Sequence, residues 1–186
     1  MIGRLLPVII FLALGILLAF GLKIADHKTE IPSPLIGKQM PTFTLPVLGQ
    51  EETMVSDQDL LGKPFLINVW ASWSGPSIEQ LAEFVTANRM YRKREFEMIT
   101  ISADSPSRRD SVLSLLKKQQ ASCRNYLFDS QDQYQLMAAL DKDLLGGVPY
   151  TILIKPGGEI IYRQLGPGDP LELKRAIVGY LGRYYK

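Results

Sequence analysis

The residues whose types and spacing are suited to chemistry sit at one junction, Trp73-Ser74-Gly75-Pro76-Ser77. Two hydroxyls three positions apart at the start of a helix raise the question of nucleophilic catalysis. A serine is a weak nucleophile unless a base lies beside it. The only histidine, His27, lies far upstream in a polar, proline-bearing stretch, so the sequence gives a serine hydrolase no support. The only cysteine is Cys123, so no intramolecular disulfide can form, and a zinc site of Cys/His type lacks its ligands. Asp104 and Asp110 lack the supporting ligands of a metal site and read as capping or surface residues. Glu97, Asp129 and Asp132 read as solvated or loop carboxylates rather than an acid–base pair. Cys123, with Arg124 beside it in a loop, has two readings: a partly buried small residue, or a thiol that reacts or pairs with another chain.

The elements that must position this junction follow from hydropathy. Phe65 to Ala71 is an apolar run broken only by Asn68, which predicts a central strand buried on both faces. Ser74 to Ser77 supplies turn and N-cap residue types, and from Ile78 the apolar positions Ile78, Leu81 and Val85 fall at helical spacing, predicting a helix to about Arg94. Phe96 to Ala103 predicts a second strand, and Ser105-Pro106 opens a second helix. This βαβα alternation predicts a parallel pairing with helices packed on the sheet. Thr42 to Leu45 alternates as an edge strand would, Tyr126 to Phe128 suits a peripheral strand, and 131–140 reads as a short helix. Pro156-Gly157-Gly158 joins Thr151–Ile154 to Glu159–Arg163 as a hairpin. Asp169 and Pro170 open a closing helix whose apolar face is Leu173, Ile177, Leu181 and Tyr184.

The chain of 186 residues has room for one ordinary domain and an appendage. A net charge of +2 without long Lys/Arg blocks argues against a nucleic-acid partner. Leu5 to Leu22 carries no charge and, as a helix, would extend about 27 Å, near the lower limit for crossing a bilayer core. This predicts an N-terminal membrane anchor, with a cleaved signal peptide as the other reading; no Ala-x-Ala-like site follows. Arg4 on one side and Lys23 and Lys28 on the other do not fix its orientation by charge.

With these elements placed, the chain resembles a known family. Trp73-Ser74-Gly75-Pro76-Ser77 resembles the thioredoxin motif Trp-Cys-Gly-Pro-Cys with serine at both cysteine positions. Asn68-Val69-Trp70-Ala71-Ser72-Trp73 resembles the membrane-anchored thioredoxin-like proteins of the DsbE/CcmG, ResA and TlpA type. Gly37-Lys38-Gln39-Met40-Pro41-Thr42-Phe43-Thr44-Leu45 is similar to an opening these share with peroxiredoxins, in the AhpC/TSA redoxin domain. Gly146 to Ile154 resembles the second thioredoxin landmark, in which a cis proline lies beside the redox motif, and Pro149 is the matching residue. The resemblance covers about Ile36 to Leu181.

It implies an α/β, thioredoxin-like fold, a central mixed sheet flanked by helices, plus the N-terminal transmembrane helix. The expected division is 1–24 anchor or signal peptide, 25–34 linker and 35–186 thioredoxin-like domain. It implies Ser74 and Ser77 at the catalytic positions and Trp73, Gly75, Pro76, Val148 and Pro149 as substrate-binding residues, with no metal and no cofactor. The implied partners are exported thiol-containing proteins or apocytochromes. The implied place is the cytoplasmic membrane, single-pass, with the domain in the periplasm or extracytoplasmic space. Thiol:disulfide exchange needs a thiolate to attack and a second thiol to resolve the mixed disulfide, and a helix N-terminus lowers the first thiol's pKa. Hydroxyls do neither. The family's acidic residues are also replaced: Gln80 stands where a Glu follows the second cysteine, and Tyr150 where a Glu follows the cis proline. Exchange of the cysteines alone would have left both, which favours natural loss. Two functions are therefore expected: an oxidoreductase of the cytochrome c maturation type with its cysteines substituted, or a redox-inactive binding or chaperone module for exported proteins.

Overall fold

A strand whose side chains are apolar on both sides must have a packed layer on each, and Phe65–Trp70 (β3), apolar except for Asn68, is buried at every position. The computed structural model describes residues 11–17, 35–48, 50–128, 140–141 and 147–182. The other strands are Thr44–Val47 (β1), Gln50–Ser56 (β2), Glu97–Ser102 (β4), Arg124–Leu127 (β5), Tyr150–Ile154 (β6) and Ile160–Leu165 (β7). They form one sheet in the order β2-β1-β5-β4-β3-β6-β7. β4 pairs parallel with β3 and β5, while β6 pairs antiparallel with β3 and β7, so the sheet is mixed. The helices are Gly75–Tyr91 (α1), Arg109–Lys118 (α2) and Pro170–Leu181 (α3).

The period of two along each strand sorts the core into faces. Phe65, Ile67 and Val69 pack with Ile99, Ile101, Tyr150, Ile152 and Ile154 on one face, under Leu35, Met40, Phe43 and Leu60. Leu66 packs on the other with Phe84 and Tyr91 of α1 and Ile177 of α3. Trp70 meets Leu81 and Val85 of α1 and Val112 and Leu116 of α2. Leu173 and Leu181 join the apolar stripe of α3, and Asp169 caps that helix by accepting from the Leu171 N–H at 2.8 Å. The β6–β7 hairpin turns on Gly157 and Gly158, both at positive φ. A Cβ on Gly158 would lie 2.9 Å from the Gln39 side chain.

Several sequence expectations are corrected. The α1 helix begins at Gly75, within the stretch of turn and N-cap residue types and with Pro76 in its first turn, and it ends at Tyr91 rather than Arg94. Ser105-Pro106 opens a 3-10 turn, Pro106–Arg108, before α2 begins at Arg109. β5 is not peripheral: it lies between β4 and β1. β1 is not an edge either, since β2 covers it. The sequence of β2 is mostly polar, as suits an edge strand. Asp104 is buried, not a surface residue, and Glu97 pairs with Lys63 at 2.6 Å and Arg124 at 2.8 Å rather than standing in solvent. The predicted helix over 131–140, apart from Leu140, and the residues Asp129, Asp132 and Tyr184 lie outside the described residues.

The chain divides into two units, Met1–Pro32 and Ser33–Lys186. In the first, residues 11–17 are helical. No helix among the described residues is long and apolar enough to cross a membrane.

Candidate functional site

The β3 strand ends at Trp70 and the chain turns immediately, with the Ser74 N–H donating to the Ala71 carbonyl at 3.2 Å. Asp104, at the C-terminal end of β4, fixes this turn from below. Its carboxylate accepts from the Ser72 N–H at 2.8 Å, the Ser72 hydroxyl at 2.6 Å and the Ser102 hydroxyl at 2.8 Å. Trp70 is therefore held in the core while Trp73 stands 51% exposed.

Ser74 is the N-cap of α1. Its Oγ accepts from the Ser77 N–H at 3.3 Å, satisfying one of the unpaired donors of the first turn. Ser77 is fully buried, and its hydroxyl has no hydrogen-bond partner among the described residues. The two hydroxyls thus sit in opposite circumstances. Ser74→Ala is expected to lower stability by about 0.5–1 kcal/mol, toward the low end for a cap because the bond is long. Ser77→Ala is expected to be neutral or to raise stability by about 1 kcal/mol, by removing a buried hydroxyl that makes no bond. Urea unfolding of the two variants measures both signs.

Beneath the corner, Asn68 of β3 donates from Nδ2 to Gln80 Oε1 at 2.9 Å and to Thr151 Oγ1 at 3.1 Å. The Thr151 hydroxyl also reaches Gln80, at 3.3 Å. These uncharged side chains tie α1, β3 and β6 together. None of them can take a proton from a neighbour at neutral pH.

The register places the second landmark at the same end of the sheet. Val69 is paired with Tyr150, so the residues following β3 and the residues preceding β6 emerge side by side. The Val148–Pro149 bond is cis. Pro149 is buried and Val148 partly buried, and the Gly166 N–H binds the Pro149 carbonyl at 2.8 Å. A Cβ on Gly147 would lie 2.9 Å from a Leu165 side-chain carbon, so Leu165, itself exposed, packs over that loop. On the other side of Pro149 the Tyr150 hydroxyl donates to Asp141 at 3.1 Å, and Arg163 Nε donates to the same oxygen at 2.6 Å. Burial, and then the Asp141 charge, push the Tyr150 phenol well above its usual range.

Trp73, Ser74, Gly75, Pro76 and Ser77 thus share one corner, with Val148 and Pro149 entering from the neighbouring strand. Gly75 and Pro76 are exposed. Asp104, Thr151, Asp141, Arg163 and Leu165 support the corner without any motif of their own; apart from the Ser102–Asp104 bond, the contacts that tie them to the corner join different elements, and only the spacing of the strands would have found them. Cys123 lies elsewhere, buried in a loop with its sulfur 3.8 Å from Asn125 Oδ1.

A mixed sheet with a strand-to-helix corner opposite a cis proline defines a thioredoxin-like protein. Residues 36–163 match the AhpC/TSA family. The chain is 31% identical to the thiol:disulfide interchange protein DsbE of Allochromatium vinosum, over 97% of this chain and 93% of that one. It is also 31% identical to DsbE of Escherichia coli K12, over 98% and 95%. A crystal structure of a thioredoxin-family thiol:disulfide interchange protein from Chlorobium tepidum superposes with a TM-score of 0.63 at 19% identity, covering 77% of this chain and 96% of that one. The chain belongs to the AhpC/TSA family and, within it, to the DsbE type of thiol:disulfide interchange proteins. Having one cysteine, it lacks the Cys-x-x-Cys pair.

Proposed function

We propose that this chain is a redox-inactive DsbE-type protein that binds thiol-bearing segments of exported polypeptides without exchanging their disulfides. Residues 1–24 anchor it in the cytoplasmic membrane, 25–34 are a linker, and 35–186 stand in the periplasm or extracytoplasmic space. The observation that carries this reading is the fate of the two hydroxyls. Ser74 is committed to capping α1 and Ser77 is sealed in the interior, whereas the surface around them is kept: Trp73 exposed, Gly75 and Pro76 exposed, Val148 beside them. An extended segment can align against such a surface through backbone hydrogen bonds and an aromatic contact, and neither needs sulfur.

The test has two arms. The chain as it stands is expected to bind reduced, unfolded, thiol-bearing polypeptide, with Val148→Glu weakening binding about tenfold, and to leave the rate of insulin disulfide reduction by dithiothreitol unchanged. The Ser74→Cys/Ser77→Cys variant is expected to accelerate that reduction at least about tenfold, because the first thiol would face the N-terminus of α1. Catalysis by the unaltered chain, or failure of the unaltered chain to bind, would overturn the proposal. A folded double variant without activity would show that the corner has lost more than its sulfur.

A further inference from the structure

A groove of about 280 Å³ runs between α1 and α3. Ala87, Met90 and Tyr91 line it from α1, and Pro170, Leu173 and Ile177 from α3. Tyr91 and Ile177 are its buried floor, and Met90 is exposed at its rim. Methionine is the apolar side chain best able to adapt to a partner's shape.

The rim is charged, and unevenly so. Glu83 lines the groove from α1. Its carboxyl is held above the usual range, first by burial and then by the negative charges of Glu79, one turn earlier on the same helix, and Asp169, the N-cap of α3. The two charges that raise it are both negative, and Lys174 is the one cation that lines the groove among the described residues. Carboxylates on two elements therefore converge on one edge of an apolar trough, and a cation from outside would relieve their repulsion.

We propose that the groove between α1 and α3 is a docking site for an amphipathic segment of a partner protein, one with an apolar ridge flanked by lysine or arginine. Charge selects this occupant over the others an apolar groove could take. A second copy of this chain would bring the same acidic edge, and an anionic lipid surface would be repelled by it. The apolar ridge fills the trough between Met90 and Leu173 as a helix fills a groove, and the cationic flank meets Glu79 and Glu83. The site uses none of Trp73, Ser74, Ser77, Val148 or Pro149, so it stands independently of the client-binding corner.

The experiment uses the full chain in phosphatidylcholine nanodiscs and a fluorescent synthetic peptide of about 14 residues with leucine and lysine at helical spacing, empty nanodiscs serving as the blank. Anisotropy is expected to report saturable binding, weakened about tenfold by Glu79→Lys/Glu83→Lys and about threefold by Met90→Gln. All three positions are exposed, and thermal unfolding checks that the variants fold. The same peptide with glutamate in place of lysine is expected not to bind. Equal binding of the glutamate peptide, or indifference to the charge reversal, would overturn the proposal. Sedimentation revealing self-association through this face would overturn it in favour of a second copy, and binding confined to anionic vesicles in favour of lipid.

Discussion

Replacing Arg163 by methionine is expected to destabilise the fold by about 3–5 kcal/mol, measured by urea unfolding. The Asp141 side chain is fully buried and that of Arg163 only 16% exposed. Nε and Nη2 of the guanidinium both reach the same carboxylate oxygen at 2.6 Å. The guanidinium also lies over the Tyr150 ring, 5.6 Å from its centroid. Taking the cation away leaves a carboxylate in the interior with its counter-charge gone, and that penalty, rather than the worth of the pair, sets the size of the effect. The triple variant Asp141→Leu/Tyr150→Phe/Arg163→Met removes the buried charge together with the guanidinium and the phenol hydroxyl that face it, and is expected to return to within about 1 kcal/mol of the parent. A single variant losing less than about 1 kcal/mol would mean that water reaches Asp141 and that the pair is effectively a surface one.

The cluster matters to the corner because of where its members fall. Asp141 and Tyr150 bracket the segment carrying Val148 and Pro149, and Arg163 is on β7, the outer neighbour of β6. The cluster fixes the start of β6 just after Pro149, as Asp104 fixes the turn after β3. Two buried carboxylates, one on each side, thus hold the two halves of the candidate site.

Neither carboxylate was legible as such in the sequence. Asp104 reads as a cap or a surface residue because only Ser102 lies near it in the chain, and its two bonds from Ser72 become visible only when β3 and β4 lie in parallel register. Arg163 is 22 residues from Asp141, beyond any local pattern. What was legible had local causes. The apolar run of β3, broken only by Asn68, announces burial on both faces, Asp169-Pro170 announces a helix start, and Gly157-Gly158 announces a hairpin. The position of Trp73–Ser77 and Val148–Pro149 at one sheet end was legible from motif resemblance. The burial of Ser77 was not, because its spacing fits a turn as well as a first helical turn. The strand β2 was hidden for a different reason: a polar edge strand has no apolar alternation to display, and its pairing with β1 settles it.

Cys123 is the second position where a large effect is expected, and it decides between the two readings of a lone thiol. Burial pushes its pKa up to about 11, from an ordinary value of 9.0. Two units reduce the thiolate fraction about a hundredfold at pH 8, and only the thiolate attacks a disulfide reagent. Labelling of the native chain by a disulfide reagent at pH 8 is therefore expected to be at least about a hundredfold slower than labelling in urea. The native rate should still rise about tenfold per pH unit at pH 9.5, where the unfolded chain has begun to level off. The linked stability has a definite sign. In the window from about 9 to about 11 the folded chain keeps a proton that the unfolded chain has released, so this group's contribution is complete below pH 9 and is lost as pH rises through 11. Native labelling as fast as unfolded labelling at pH 8 would place the sulfur at the surface and restore the reading of Cys123 as a thiol that pairs with another chain. Slow labelling with the expected slope makes it a packing residue, and leaves the chain without an accessible sulfur for exchange.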